Sequence, residues 1–202
     1  FDGHSLFGVG DYFDLGIEHN IPTMYSALAI LMASCQLALL ARANRDKPDG
    51  KRGYWIALSA IFLFLALDEA TAIHESIGGY FENFIEPTGY IYFMWVVPYG
   101  AAVVVTGLAF LKFVLSLPKL TRNRFIVAGT IFITGAVFIE MPGAAEAELN
   151  GTDTIKYCLL YTFEEVFEML GIVLFNYALL SHLTVYHGPV EIVLDTDTEA
   201  AA

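Results

Sequence analysis

The sequence predicts an all-α fold, an integral membrane bundle of five transmembrane helices with the N-terminus outside and the C-terminus inside. Composition, long apolar segments and the placement of basic residues lead to this prediction. Of the 202 residues, 56% are hydrophobic and 16% are charged, and the mean hydropathy is +0.59. A soluble domain carries roughly a quarter charged residues. The excess of apolar residues therefore favours a membrane protein.

Five apolar segments carry the predicted spans, at residues 22–41, 54–77, 90–117, 125–141 and 157–183. Each is close to the ~20 residues that cross a hydrocarbon core of ~30 Å. The segments are continuously apolar rather than alternating, which favours helices over barrel strands. Asn20 and Pro22 suit a helix start, and the Pro142-Gly143 pair predicts the end of the fourth helix. The predicted divisions are an outer amphiphilic segment (1–20), the membrane domain (21–184) and an acidic inner tail (185–202).

The basic residues set the predicted orientation. All but one of the ten Lys and Arg residues lie within 42–52 or 112–124, and Lys156 is the exception. Both groups fall on the same side of a bundle with five spans. Because basic residues are enriched in cytoplasmic loops, this side is predicted to be the inner one.

Ionisable residues interrupt the apolar segments at one depth. Helix two contains FLFLALDEATAIHESIG, and helix five contains YTFEEVFEMLG. At 1.5 Å per residue, the carboxylates of these two motifs lie roughly 10–17 Å into the outer half. The first helix starts, and the fourth ends, with an acidic residue on the same side. The residues predicted to meet there are Glu18, Asp68, Glu69, His74, Glu140, Glu164, Glu165 and Glu168.

Helical phase places three of these carboxylates together. Glu164, Glu165 and Glu168 fall within one face of about 100°. In helix two, Glu69 and His74 do not share a stripe. They reach the same site only if the outer end of that helix is distorted.

The cost of burying charge limits what such a cluster can be. One isolated charge at the bilayer centre costs about 2.5–3.5 kcal/mol on insertion scales. No Lys or Arg is predicted at this depth. Either some carboxyls hold protons in a hydrogen-bonded, structural core, or a divalent cation lies among them. Carboxylates with an imidazole suit Fe, Mn or Zn.

The interpretation as a metal site assigns a role to each of these residues. The expected ligands of one or two divalent metal ions are Glu69, His74, Glu165 and Glu168, with Glu18 and Glu140 in the same metal site. Asp68 or Glu164 is then the expected catalytic base or an outer partner of the ligands.

Two resemblances accompany these motifs. The Glu165-x-x-Glu168 pair and the carboxylates on several helices look like the ferritin-like di-iron carboxylate bundles, which implies a dinuclear site. The chain departs from that pattern because it has no Glu-x-x-His. The motifs HNIPTMYS, LDEATAIHE and YTFEEVFEMLG also resemble an uncharacterised group of bacterial multi-pass membrane proteins. That resemblance implies a bacterial cytoplasmic membrane and one shared site formed by Glu18, Asn20, Glu69, His74, Glu140, Glu165 and Glu168.

Three functions remain open at this stage. The first is a metal-binding membrane protein, which in one form is an enzyme that acts on a lipid-soluble substrate. The second is an accessory or structural subunit of a larger membrane complex. The third is a proton or cation pathway, which is disfavoured because the inner halves of the helices look apolar.

The expected partners are the lipid bilayer and a larger membrane complex, and no face suits nucleic acid. The hydrolase, nucleotide-binding and redox motifs GxSxG, HExxH, GxGxxG and CxxC are missing from the sequence.

Overall fold

The chain folds into a bundle of helices. The computed structural model describes residues 10–48 and 50–188, and this part contains α-helices and no strand. The helices are α1 (Ile21–Ala43), α2 (Arg52–Thr71), α3 (Ile73–Phe81), α4 (Val96–Leu115), α5 (Lys119–Ile133), α6 (Glu140–Asn150) and α7 (Ile155–His187). A 3₁₀ turn covers Gly89–Ile91, and a π-helical segment, Thr134–Ile139, joins α5 to α6.

Five of the described helical stretches are long and apolar enough to cross a membrane. They are α1, α2, α4, the continuous stretch Lys119–Asn150 and α7. The prediction of an all-helical bundle with five candidate spans is confirmed. Which side of a membrane each terminus occupies stays a prediction, and so does the division of the chain at residues 20 and 184.

Helices α1, α2, α5 and α7 form the core. Leu37 and Leu40 of α1, Trp55 of α2 and Leu179 of α7 are almost completely buried among one another. Helix α4 is peripheral, with only Val96 and Phe113 buried. Phe110 and Val114 pack partly against the core, whereas Val104, Val105 and Leu108 are exposed, as lipid-facing residues are.

Opposite ends of the bundle differ in charge. The basic end holds the α1–α2 and α4–α5 connections and the C-terminus of α7. There Lys47 Nζ lies 3.4 Å from His187 Nδ1, and Lys51 Nζ donates to the Ser116 carbonyl at 3.4 Å. The acidic end holds the segment before α1, helix α3, the turn at Gly89–Ile91 and the α6–α7 connection. All nine clustered basic residues belong to the basic end.

The second predicted helix breaks near its end. The structure has α2 and α3 where the sequence predicted one helix at 54–77, because Ala72 adopts a left-handed conformation with φ 51° and ψ 41°. The Asp68 carboxylate accepts the backbone N–H of His74 at 2.6 Å, which replaces a helical hydrogen bond lost at the break. This is the distortion that the helical phase required.

The predicted end of the fourth helix is wrong. The helix continues through Pro142 and Gly143 to Asn150. A proline lacks an N–H and its ring crowds the carbonyl four residues earlier, which here belongs to Phe138 in the π-helical segment. The wider π-helical turn accommodates both effects. The third span also starts later than predicted, at Val96 rather than at residue 90.

The halves of the helices nearest the basic end are not uniformly apolar. Gln36 Nε2 donates to Asn176 Oδ1 at 2.9 Å, and Thr121 Oγ1 lies 2.9 Å from His182 Nδ1. All four residues are buried. The sequence-based expectation of apolar inner halves is wrong at these positions. The predicted acidic tail lies outside the described residues from 189 onward, and the predicted N-terminal segment is described only from residue 10.

Candidate functional site: a carboxylate and histidine cluster

Asn20 fixes the segment that precedes α1. Its side-chain oxygen accepts the backbone N–H of Thr23 at 3.2 Å and caps the helix, as the sequence predicted. Its amide donates to the carbonyl oxygens of Asp14 and Asp11. The chain turns into the helix through His19, which has a φ of 61°. Asn20 thereby holds the segment 10–19 over the acidic end of the bundle.

The same segment rests on α7. The Tyr161 hydroxyl donates to Asp14 Oδ1 at 3.4 Å, and the backbone N–H of Gly16 donates to the same oxygen at 2.9 Å. A Cβ atom at Gly16 would lie 2.9 Å from the Tyr161 ring, so a larger residue here would require the ring to move. These contacts bring Glu18 to the neighbourhood of α3 and α7.

His74 lies between two carboxylates. Its Nε2 is 3.3 Å from Glu18 Oε1, and its Nδ1 is 3.5 Å from Asp68 Oδ1. The edge of its ring faces Trp95, with 5.1 Å between ring centroids. Burial alone would lower the pKa of His74, but the hydrogen bonds and charges of Asp68 and Glu18 outweigh it and raise the pKa to about 10. At neutral pH the imidazole is therefore a cation that neutralises part of the surrounding negative charge.

Carboxyl groups from three membrane-spanning stretches lie beyond His74. The side chain of Glu140 interacts with that of Glu164 and makes a polar contact with the Trp95 indole. Glu165 and Glu168 both interact electrostatically with Glu69 and with Glu140. The carboxyls of α2, α6 and α7 are thus close enough to interact with one another.

The π-helical segment brings these helices close together. A Cβ atom at Gly135 would lie 2.7 Å from the carbonyl oxygen of Glu164 and 3.1 Å from the backbone nitrogen of Glu168. The acidic turn of α7 therefore rests directly on this glycine. Because Glu140 begins the α-helix that follows the π-helical segment, the same irregularity sets the direction of its side chain. Such segments occur frequently at functional sites.

All of the residues predicted for the site lie in this one region. Asp68 and Glu140 are buried, whereas Glu18, Glu69, His74 and the three glutamates of α7 are partly exposed. The roles assigned to them as ligands or bases stay predictions. The sequence reasoning missed Asp14 and Tyr99, whose hydroxyl faces Asp68. Trp95, which the sequence analysis did not assign to the site, lies against His74 and contacts Glu140.

Basic side chains do not neutralise the cluster. Lys156, the basic residue nearest in sequence to the glutamates of α7, donates to Glu146 at 2.6 Å. Glu146 also accepts from Asn150 and Thr154 and stands apart from the cluster. Among the described residues, His74 is the cationic group that contacts the site.

The carboxylates of the cluster lie near one another, but this does not place them at the distances of metal ligands. In residues 10–48 and 50–188, no three His, Cys, Asp or Glu side chains stand as a ready-made set of metal ligands. Both ring nitrogens of His74 face carboxylates, so this imidazole ligates a metal only after releasing Glu18 or Asp68. The oxygen-rich donor set fits a hard or borderline divalent cation, and the long glutamate side chains can converge on one by rotation.

The fold and the cluster together define a class: helical bundles with five candidate membrane spans and a carboxylate-rich polar site near one end. The family profile described as Domain of unknown function (DUF8692) matches residues 3–183. The chain belongs to this family. Comparison with curated proteins found no match, and comparison with solved structures found none.

Proposed function

We propose that this protein binds a divalent cation in the carboxylate and histidine cluster and that it does so in a bacterial cytoplasmic membrane. One or two Fe, Mn or Zn ions are the proposed cofactors. The observation that carries the proposal is the meeting of carboxyl groups from α2, α6 and α7 where His74 is the cationic contact among the described residues. Glu18 and Asp68 already neutralise that cation. Among the described residues, no Lys or Arg side chain pairs with the remaining glutamates, and they share the charge of His74.

The proposed ligands fall into two groups according to the side chains with which they interact. Glu165 and Glu168 each interact electrostatically with Glu69, so these three are the first choice as carboxylate ligands. Glu140 shares its contacts with Glu164 and Trp95 and lies at the edge of the same group. A cation among these oxygens would turn mutual repulsion into attraction.

The neighbouring residues suit supporting roles. Asp68 accepts the backbone N–H of His74 and contacts its ring, so it positions the imidazole at the helix break. Glu164 interacts with the side chain of Glu140 and is the proposed proton acceptor in a catalysed reaction. A bound metal ion would supply Lewis acidity or redox chemistry there. In the enzymatic form of this proposal, a lipid-soluble substrate reaches the partly exposed glutamates of α7 from the bilayer.

Metal analysis of the purified protein tests the proposal. We expect Mn²⁺, Fe²⁺ or Zn²⁺ to bind in stoichiometric amount, and Glu165→Gln and Glu168→Gln each to weaken binding by at least about 10-fold. Glu75→Gln is the matched control, because Glu75 is exposed on α3 and loses the same charge. Folding of each variant is monitored by circular dichroism and gel filtration. Wild-type protein that folds and binds none of these ions would refute the proposal.

A proton or cation pathway is a second candidate, favoured by the buried polar pairs Gln36–Asn176 and Thr121–His182. Along α7, however, Asn176 follows Glu168 by two turns, about 12 Å, and the buried Ile172 stands between them. A direct hydrogen bond cannot cross that distance. Proton uptake into proteoliposomes that Asn176→Leu abolishes would favour the pathway over a static binding site.

The third candidate, a structural subunit, predicts a constant partner during purification and a cluster that binds no metal.

A further inference from the structure

A groove between α1 and α2 opens at the basic end of the bundle. Its volume is about 450 Å³. Three arginines, Arg42, Arg45 and Arg52, line its mouth, and Ile56 and Leu63 line its apolar part. This groove lies at the opposite end of the bundle from the carboxylate cluster and is independent of it.

In the part of the chain that the structure describes, the arginines at the mouth have no counter-ion. Within the described residues, their guanidinium groups have no hydrogen-bond or ion-pair partner. Three neighbouring guanidinium groups repel one another, and an anion between them relieves that repulsion. Guanidinium groups bind phosphate oxygens in a bidentate manner, which makes arginine well suited to a phosphodiester.

The wall of the groove suits an acyl chain. Ala38, Ser59 and Ala60 are small, so the helices leave a shallow channel between larger neighbours. From Arg52 to Leu63 the channel follows eleven residues of α2, about 16 Å. One leaflet of a bilayer contains about 15 Å of hydrocarbon, so the channel matches one leaflet in depth.

A second cavity provides a comparison. It has a volume of about 320 Å³ and is lined by Gly50, Gly53, Tyr54, Ala57 and residues of α4, with no charged side chain. An acyl chain from any lipid could fill it equally well. The arginine mouth is what distinguishes the groove between α1 and α2.

We propose that this groove binds one anionic phospholipid, with its phosphate group between Arg42, Arg45 and Arg52 and one acyl chain along Ile56 and Leu63. Basic pockets beside transmembrane helices attract anionic head groups in this way. The lipid would also brace α1 against α2, which carries Glu69 at its other end.

Lipid binding to the purified full chain tests the proposal. Dioleoyl-phosphatidylglycerol and dioleoyl-phosphatidylcholine are titrated into the delipidated protein in detergent, and bound lipid is counted by native mass spectrometry. We expect phosphatidylglycerol to bind at least about 10-fold more tightly. The triple variant Arg42→Gln, Arg45→Gln, Arg52→Gln should lose this preference. A control with the same loss of charge, Lys112→Gln, Lys119→Gln, Arg122→Gln, should keep it.

A variant with unchanged charge tests the acyl channel separately. Ala60→Phe fills the groove from an exposed position and should weaken phosphatidylglycerol binding, while the helical circular dichroism of the protein is retained. Equal binding of both lipids to wild-type protein would overturn the proposal, as would equal losses in the two triple variants. Displacement of the lipid by millimolar inorganic phosphate would point to a free anion as the ligand and would also overturn it. A dimer that is stable without lipid and is broken by Ala60→Phe would identify a second copy of the chain as the occupant instead.

Discussion

Replacing Gly135 by alanine tests the close contact on which the carboxylate cluster is built. The added Cβ would lie 2.7 Å from the Glu164 carbonyl oxygen, whereas ordinary contacts begin at 3.4 Å, so the π-helical segment and α7 must separate by about 0.7 Å. Overpacking of this kind costs about 1–3 kcal/mol. Alanine also favours a helix over glycine by about 1 kcal/mol, which offsets part of the loss. Gly107 in α4 has open space around it, so Gly107→Ala gains the helix preference without the clash.

The difference between these two variants isolates the packing cost. We expect Gly135→Ala to be less stable than Gly107→Ala by about 1–3 kcal/mol, measured by reversible unfolding in mixed detergent and dodecyl sulfate micelles. We also expect Gly135→Ala to weaken metal binding, because the turn that carries Glu164 and Glu168 moves. Equal stability of the two variants would refute the close approach of α7 to the π-helical segment.

Three further substitutions probe the surroundings of the cluster. The pKa of His74 is raised from 6.5 to about 10, so the stability that its charge adds should be complete below about pH 6.5 and disappear as the pH rises through 10. Thermal unfolding of the wild type and of His74→Gln in chelator-containing buffer measures this contribution, which is worth at most about 5 kcal/mol. A stability difference that does not depend on pH would contradict the assignment of a charged imidazole. Asn20→Ala should lower the unfolding free energy by about 0.5–2 kcal/mol, whereas Asn20→Ser should recover the helix cap but not the contact with Asp14. If both variants bind metal as the wild type does, Asn20 does not hold the segment 10–19 over the cluster in the way described. Lys156→Gln should leave metal affinity within about twofold of wild type, because Lys156 pairs with Glu146 outside the cluster, and a larger change in affinity would place this pair in the site.

Hydropathy predicted the spans because each apolar run must be long enough to cross the hydrocarbon. It could not predict the break at Ala72, since alanine favours a helix and no glycine or proline marks the position. The stabilising contact, from the Asp68 carboxylate to the backbone of His74, depends on tertiary burial as much as on sequence spacing. For the same reason, the phase argument correctly required a distortion at the outer end of the helix but could not say at which residue it lies.

At Pro142 the sequence predicted the end of a helix that in fact continues. Proline followed by glycine usually ends a helix, and the compensation by a π-helical segment upstream leaves no simple periodic signal. The candidate site residues were singled out because carboxylates in apolar helices are costly and therefore unusual. Trp95, Asp14 and Tyr99 were not, because aromatic and surface acidic residues are ordinary at helix ends. Their place in the site follows from packing between elements that are distant in sequence.

The central claim is that the carboxylates of α2 and α7 share one cation. An experimental structure of the protein equilibrated with Mn²⁺, with anomalous difference density, tests it most directly. We predict a peak between Glu69, Glu165 and Glu168, with carboxylate oxygens at about 2.0–2.2 Å from the ion. Side chains of these three residues that point away from one another around a region without such a peak would contradict the claim.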